Sequence, residues 1–197
     1  TSEQKTGLFW DNFKVNSCTH GHVHPLAAIH GARERMRGCF VIGLQIRFGT
    51  DATSNTRWFV KGEEERFFRA ARALEDEYLS GREDGGDGAC VRWVLSTDDG
   101  EAAKHALSQY PDRVVWREGQ IAHIDMEGSS GGAVLKILFD HWMLALSDQV
   151  VITVPSSFGF TARMLNLTGS TAATIVTAPM YEALTGTQGR PARISCE

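Results

Sequence analysis

Apolar residues come along this chain as short runs and as helical stripes, and the two kinds alternate. The run Phe40–Val41–Ile42–Gly43–Leu44–Gln45–Ile46–Arg47 is β-branched and apolar on both faces. That is the pattern of a buried parallel strand, here from Cys39 and ending in an arginine. Ahead of it, Leu26, Ile29, Ala32 and Met36 have helical spacing, and Gly38 supplies a stop. Gly49 to Thr56 follows as a polar loop with Asp51, Ser54 and Asn55. The spacing then predicts a helix over about 62–79, with Phe67, Ala71, Leu74 and Tyr78 inward and Glu63 to Glu65 favouring its amino end. A charged, glycine-rich loop from Ser80 to Ala89 leads to a second strand, Cys90 to Ser96. Thr97 to Gly100 turns into a helix whose inner face carries Ala103, Ala106, Leu107 and Tyr110.

Val114 to Trp116 reads as a short third strand, and Glu127 to Gly132 as a glycine- and serine-rich loop. The stretch Ala133 to Leu146 is apolar nearly all round and predicts a deeply buried helix. Val150 to Val154 is a fourth strand, and Pro155 to Gly159 opens a helix with Ala162, Met164 and Leu165. Ala173 to Val176 fits a fifth strand. Strands alternating with helices predict an α/β fold, a Rossmann-like, doubly wound parallel sheet in three α/β/α layers with right-handed crossovers. Residues 1–25 read as a lead-in and 26–197 as one domain.

Composition narrows the functions. A chain of 197 residues can bury one sizeable core. A net charge of -4 without a long basic run argues against nucleic acid or an anionic membrane as the main partner. No apolar stretch reaches the ~18 residues needed to span a bilayer. The polar start Thr1–Lys5 has no signal-peptide core and reads as trimmed or excised. The four cysteines form no CxxC pair, which argues against a zinc ribbon. Cys39 and Cys90 each lie eight residues before a charged strand end, Arg47 and Asp98. Parallel strands in register would put the two side by side. Two buried free thiols are the other reading, and the preferred one.

Three strand ends carry polar residues: Arg47, Asp98, and the pair Ser156 and Ser157. A parallel sheet places them on one edge, where open α/β sheets bind ligands. Arg47 keeps its charge and can hold phosphate through two parallel hydrogen bonds; a structural ion pair is the plain alternative. The serine turn opens a helix, whose free N–H groups attract anions; simple capping is its alternative. Asp98 and Glu101 fit a capping box with Asp98 as N-cap, against a ligand role at a ribose hydroxyl or base edge. His20, His22 and His24 share one face of an extended segment, as a metal site would require, yet Gly21 and Pro25 favour a solvated loop. Asp140 and His141 interrupt the apolar helix, either satisfied in the core or facing a ligand. Asn166–Leu167–Thr168 is an N-glycosylation sequon.

Three of these segments together resemble motifs of the GDP-fucose-dependent fucosyltransferase superfamily. Gly43–Leu44–Gln45–Ile46–Arg47 looks like the first nucleotide-binding motif, closest to the plant xyloglucan fucosyltransferase branch. Leu95–Ser96–Thr97–Asp98–Asp99 resembles the next strand-end motif. Leu144 to Asp148, Val151 to Thr153 and Ser156–Ser157–Phe158–Gly159 resemble the last. The resemblance covers roughly 39–167. It implies a GT-B enzyme whose donor-binding carboxyl-terminal half is this chain, with the amino-terminal acceptor half absent. It implies that Arg47 grips the pyrophosphate, that Ser156, Ser157 and Phe158 contact phosphate, and that Asp98 belongs to the nucleotide site. Phe48 stands where related enzymes often carry a second basic residue.

The implied reaction moves fucose from GDP-fucose to a glycan or protein acceptor by an inverting, metal-independent route in the Golgi lumen. No cofactor beyond the donor substrate is expected. Arg47 and the helix start would stabilise charge on the leaving diphosphate. Asp51 is the local candidate for a general base, by position. A catalytically idle nucleotide-binding or scaffolding domain of a larger assembly is the second reading. A dehydrogenase is a third, weakened because no GxGxxG turn follows the first strand.

Overall fold

The computed structural model describes residues 25–49, 57–83, 86–119, 131–165, 173–179, 182 and 191–194. His20, His22, His24, Asp51, Ser54, Asn55 and Asn166 lie outside them, as do Cys18 and Cys196. The elements run α1 (Pro25–Arg35), β1 (Phe40–Ile46), α2 (Glu65–Ser80), β2 (Val91–Thr97), α3 (Gly100–Gln109) and β3 (Val114–Val115). They continue with α4 (Gly131–Ala145), β4 (Gln149–Val154), α5 (Ser157–Met164), β5 (Ala173–Thr177) and β6 (Ala192–Ile194).

The six strands form one sheet in the order β3-β2-β1-β4-β5-β6. The first five are parallel neighbours, and β6 alone runs antiparallel, against β5. The doubly wound α/β expectation therefore holds, with one antiparallel edge strand added. β6 is three residues long and contains an arginine, too short and too polar to stand out by pattern.

Alternation along each strand assigns the layers. Ile42, Leu44 and Ile46 of β1 join Trp93 and Leu95 of β2 in the largest cluster, with Phe67, Phe68, Ala71 and Leu74 of α2 and Ala103 and Ala106 of α3. Val41 and Val94 face the other way, into a cluster with Ile29 and Ala32 of α1, Met36 just past its end, and Phe139 and Met143 of α4. Helices thus cover both faces, which is why β1 is apolar on both, with Gln45 the polar exception and its amide hydrogen-bonded. The predicted inner face of α2 is wider than expected, since Ala70 and Glu75 are also buried. Helix α4 is less enclosed than its composition predicts: Val134 and Leu138 are 37% and 40% exposed.

Two glycines set how closely helices approach the sheet. A Cβ on Gly43 would lie 2.8 Å from Ser147 Oγ and 2.9 Å from Leu144 Cδ2, so the end of α4 rests directly on β1. A Cβ on Gly159 would lie 2.8 Å from Gln45 Oε1 and 2.9 Å from Ile152, so the first turn of α5 comes down onto the ends of β1 and β4.

Strands β1 and β2 pair with Phe40 opposite Val91 through Ile46 opposite Thr97. That register puts Cys39 beside Cys90, and the two form a disulfide with Cα atoms 4.4 Å apart. The free-thiol expectation is overturned because both strands enter the sheet at the same level.

Candidate functional site

The central strand delivers Arg47 to the carboxyl edge of the sheet, beside the point where strand order reverses between β1 and β4. The β1–β4 ladder stops at Gln45 opposite Ile152, whereas β1 stays paired with β2 to Ile46. Past that point side chains replace the ladder. Thr153 Oγ1 accepts from the Arg47 N–H at 2.9 Å and donates to the Gln45 carbonyl at 3.0 Å. The Thr153 N–H donates to Gln45 Oε1 at 3.1 Å, and Gln45 Nε2 donates to Ser156 Oγ at 3.2 Å. All three polar side chains are buried, so the crevice at the switch point has a fixed, hydrogen-bonded floor.

Asp98 follows β2, and its carboxylate closes the turn after β1. Oδ1 accepts from the Phe48 N–H at 2.7 Å, and Oδ2 from the Gly49 N–H at 3.0 Å. Oδ2 also lies 3.4 Å from Arg47 Nε. Gly49 has φ of 72°, a conformation that favours glycine, which lets the turn present both amides to one carboxylate. Asp98 is therefore not the cap of α3. Asp99 is, its Oδ1 accepting from the N–H groups of Glu101 and Ala102. The cap falls one residue later than the capping-box pattern predicts because the amides of Phe48 and Gly49 claim Asp98, and with Ala102 three residues after Asp99 no capping box forms. The two adjacent carboxylates point to different elements, as expected for neighbours on a turn. Among the described residues no group of three or more His, Cys, Asp or Glu side chains could hold a metal ion.

The Arg47 side chain is 17% exposed, and its guanidinium carbon lies 5.6 Å from the centre of the Trp58 ring. Sequence reasoning missed Trp58. Its backbone N–H donates to the Phe48 carbonyl at 2.7 Å, which brings it back over the strand end after the intervening loop. Its neighbour Phe59 is buried edge-on against Phe48 and Phe67 and pins the segment. The clue was present as an aromatic pair closing a polar loop beside a strand-end arginine.

Across the crevice, Ser156 occupies the N-cap position of α5 but makes no side-chain cap bond, because its hydroxyl is bonded to Gln45. Ser157 is exposed, and Phe158 is half-buried. The N–H groups of the first helical turn have no intrahelical acceptor, so this end carries partial positive charge. Arg47 and the serine turn thus follow neighbouring strands at the same edge of the sheet and are joined through Thr153 and Gln45.

Asp140 is satisfied in the core. Its Oδ2 accepts from Lys136 Nζ at 2.7 Å and from Ser96 Oγ at 3.1 Å, with the Lys136 and Asp140 side chains 4% and 8% exposed. Burial pushes the carboxyl up from its ordinary value, opposed by the Lys136 ammonium. His141 packs edge-on against Phe158 at 5.0 Å and bonds Thr161 Oγ1 through Nε2 at 2.9 Å. Thr161 spends its single hydroxyl proton on the Phe158 carbonyl, so His141 Nε2 is the donor.

Burial lowers the His141 pKa below 6.5. Between that lowered value and the unfolded one, the unfolded chain binds more protons than the native chain, so stability rises with pH across this window. We expect denaturant titrations to show stability falling as pH drops below about 6.5, and His141→Gln to flatten that slope. A His141→Gln profile as steep as the parent's would place the titrating group elsewhere.

No protein-family model matches this chain, and no curated protein does. Solved structures do. The fucosyltransferase NodZ from Bradyrhizobium superposes with a TM-score of 0.55 at 17% identity, covering 89% of this chain and 49% of its own. NodZ alpha-1,6-fucosyltransferase soaked with GDP-fucose superposes with a TM-score of 0.55 at 16% identity, again over 89% and 49%. The same enzyme co-crystallized with GDP gives 0.54 at 16%, over 88% and 48%. The chain spans about half the length of these structures. It has a fucosyltransferase-like α/β fold over that span, in agreement with the resemblance of its strand-end motifs.

Proposed function

We propose that this chain is the donor-binding domain of a glycosyltransferase that moves fucose from GDP-fucose to a glycan or protein acceptor. The observation that carries the reading is Arg47, a permanent cation brought by the central strand to the switch-point crevice and held there by Asp98 and Trp58. Opposite it stands the amino end of α5. Breaking a sugar–phosphate bond puts charge on the leaving diphosphate. A guanidinium and a ring of N–H groups, both fixed beforehand, stabilise that charge as it develops. They fill the role that a divalent ion would otherwise take, and the proposed mechanism is metal-independent and inverting. Ser156, Ser157 and Phe158 line the phosphate side.

Asp98 supports the site indirectly, since both of its oxygens are taken by the turn and by Arg47. Asp51, or a group from a facing amino-terminal acceptor domain, then supplies the base. The fucosyltransferase-like fold and the GDP-fucose soaked into NodZ support the choice of donor. The Cys39–Cys90 disulfide supports maturation in an oxidising compartment, consistent with a secretory, Golgi location. One observation favours the second reading, a domain that binds nucleotide without transfer: Asp98, the acid paired with Arg47 among the described residues, is not placed to take a proton.

Arg47→Ala should weaken GDP binding by about 1.5–3 kcal/mol, the range of a charge-assisted hydrogen bond. Titration calorimetry with GDP measures it. Equal affinity in the two proteins would move the site away from this crevice, and tighter binding of UDP, ADP or NAD would change the donor.

A further inference from the structure

We propose that the indole of Trp58 is the platform against which the sugar ring of the nucleotide sugar packs. This inference rests on the reading of Arg47 as the diphosphate anchor. The Arg47 guanidinium carbon lies 5.6 Å from the centre of the Trp58 ring, so whatever Arg47 holds is brought next to that ring. In a nucleotide sugar the hexose is bonded directly to the second phosphate. The ribose is bonded to the first phosphate and the base lies beyond it; Arg47, read as stabilising charge where the sugar–phosphate bond breaks, grips the second. The ring meeting Trp58 is the transferred sugar.

The geometry suits that partner. Trp58 is half-buried: it packs against the main core cluster, with Arg47 over its ring at the sheet edge, and is not enclosed. The ring is set in place before any ligand arrives: its backbone N–H bonds the Phe48 carbonyl at 2.7 Å, and Phe59 anchors the next position in the core. Rigid aromatic groups bind at little entropic cost. An indole offers an apolar face and one N–H, which matches the C–H face of a deoxyhexose better than a charged or heavily hydroxylated group.

The test compares Trp58→Ala and Trp58→Phe with the parent, using inorganic pyrophosphate, GDP and GDP-fucose as separate probes in calorimetry. Covering one indole face, roughly 50 Å² of apolar surface, corresponds to about an eightfold change in affinity. Trp58→Ala should weaken GDP-fucose by about that factor while pyrophosphate and GDP change less than about twofold. Trp58→Phe, which keeps an aromatic face, should recover most of the loss. If the alanine variant does not fold, Trp58→Leu replaces it, being apolar without a ring face. Equal weakening of all three probes would mean that Trp58 acts only through Arg47, and would overturn the proposal. So would a loss shared by GDP and GDP-fucose, which would seat the ribose or base on the ring, or no change with any probe. A parent that binds neither pyrophosphate nor GDP would instead refute the diphosphate reading itself.

Discussion

Replacing Asp140 with alanine should cost about 3–5 kcal/mol of stability, the range for leaving a buried charge without its partner. Lys136 and Asp140 are one turn apart on α4 and pair at 2.7 Å. Both lie inside the protein, where an ammonium without a carboxylate has no water to turn to. The Lys136 Nζ lies 5.7 Å from the Trp116 ring centre, and an aromatic face offsets only part of that loss. The Ser96 hydroxyl would also lose its acceptor. The pair as a whole is a different matter. Substituting both members together, Lys136→Met with Asp140→Leu, should return stability to near the parental value, since the desolvation cost of two ions disappears with them. Urea unfolding of the two single variants and the double variant closes the cycle. A cost below about 1 kcal/mol for Asp140→Ala would mean that the lysine escapes to solvent.

What the sequence made legible depended on whether one element alone decided it. Strand β1 was readable because helices cover both faces of the sheet, so its pattern needs no knowledge of its neighbours. The same holds for the serine turn before α5, which is written in one short segment. Lys136 was hidden by the apolar stretch around it, although its spacing of four from Asp140 was a usable signal. Asp98 and Asp99 could not be told apart locally: either could cap α3, and the choice is made by amides at Phe48 and Gly49, about fifty residues away in the chain. Trp58 is placed by a backbone bond to Phe48 across the polar loop, which no periodicity encodes. The exposed Val134 and Leu138 follow from α4 lying against the sheet on one side only, something its uniform composition conceals.

The disulfide shows the same limit and carries the other large expected effect. Spacing from the strand ends made Cys39 and Cys90 candidates, but only the register of β1 against β2 turns candidates into a bond. The bond closes a loop with a sequence separation of 51, crossing α2 and the glycine-rich turn after it. In the chain-entropy account, a loop of that length removes freedom from the unfolded chain worth about 4 kcal/mol. The double variant Cys39→Ser with Cys90→Ser should therefore unfold at a markedly lower temperature, by about 8–16 °C at ~2–4 °C per kcal/mol for a domain of this size. The parent in strong reductant should behave like the variant. The bond lies at the amino ends of β1 and β2, whereas Arg47 and Asp98 follow their carboxyl ends. Nucleotide affinity of the folded variant should accordingly match the parent's, separating a stability role from a role in the site. Calorimetric melting, thiol titration of the unreduced protein and a GDP titration at a temperature where both proteins are folded make the comparison. Two titratable thiols at these positions, or equal melting temperatures, would show that the strands are held together by their packing and hydrogen bonds alone.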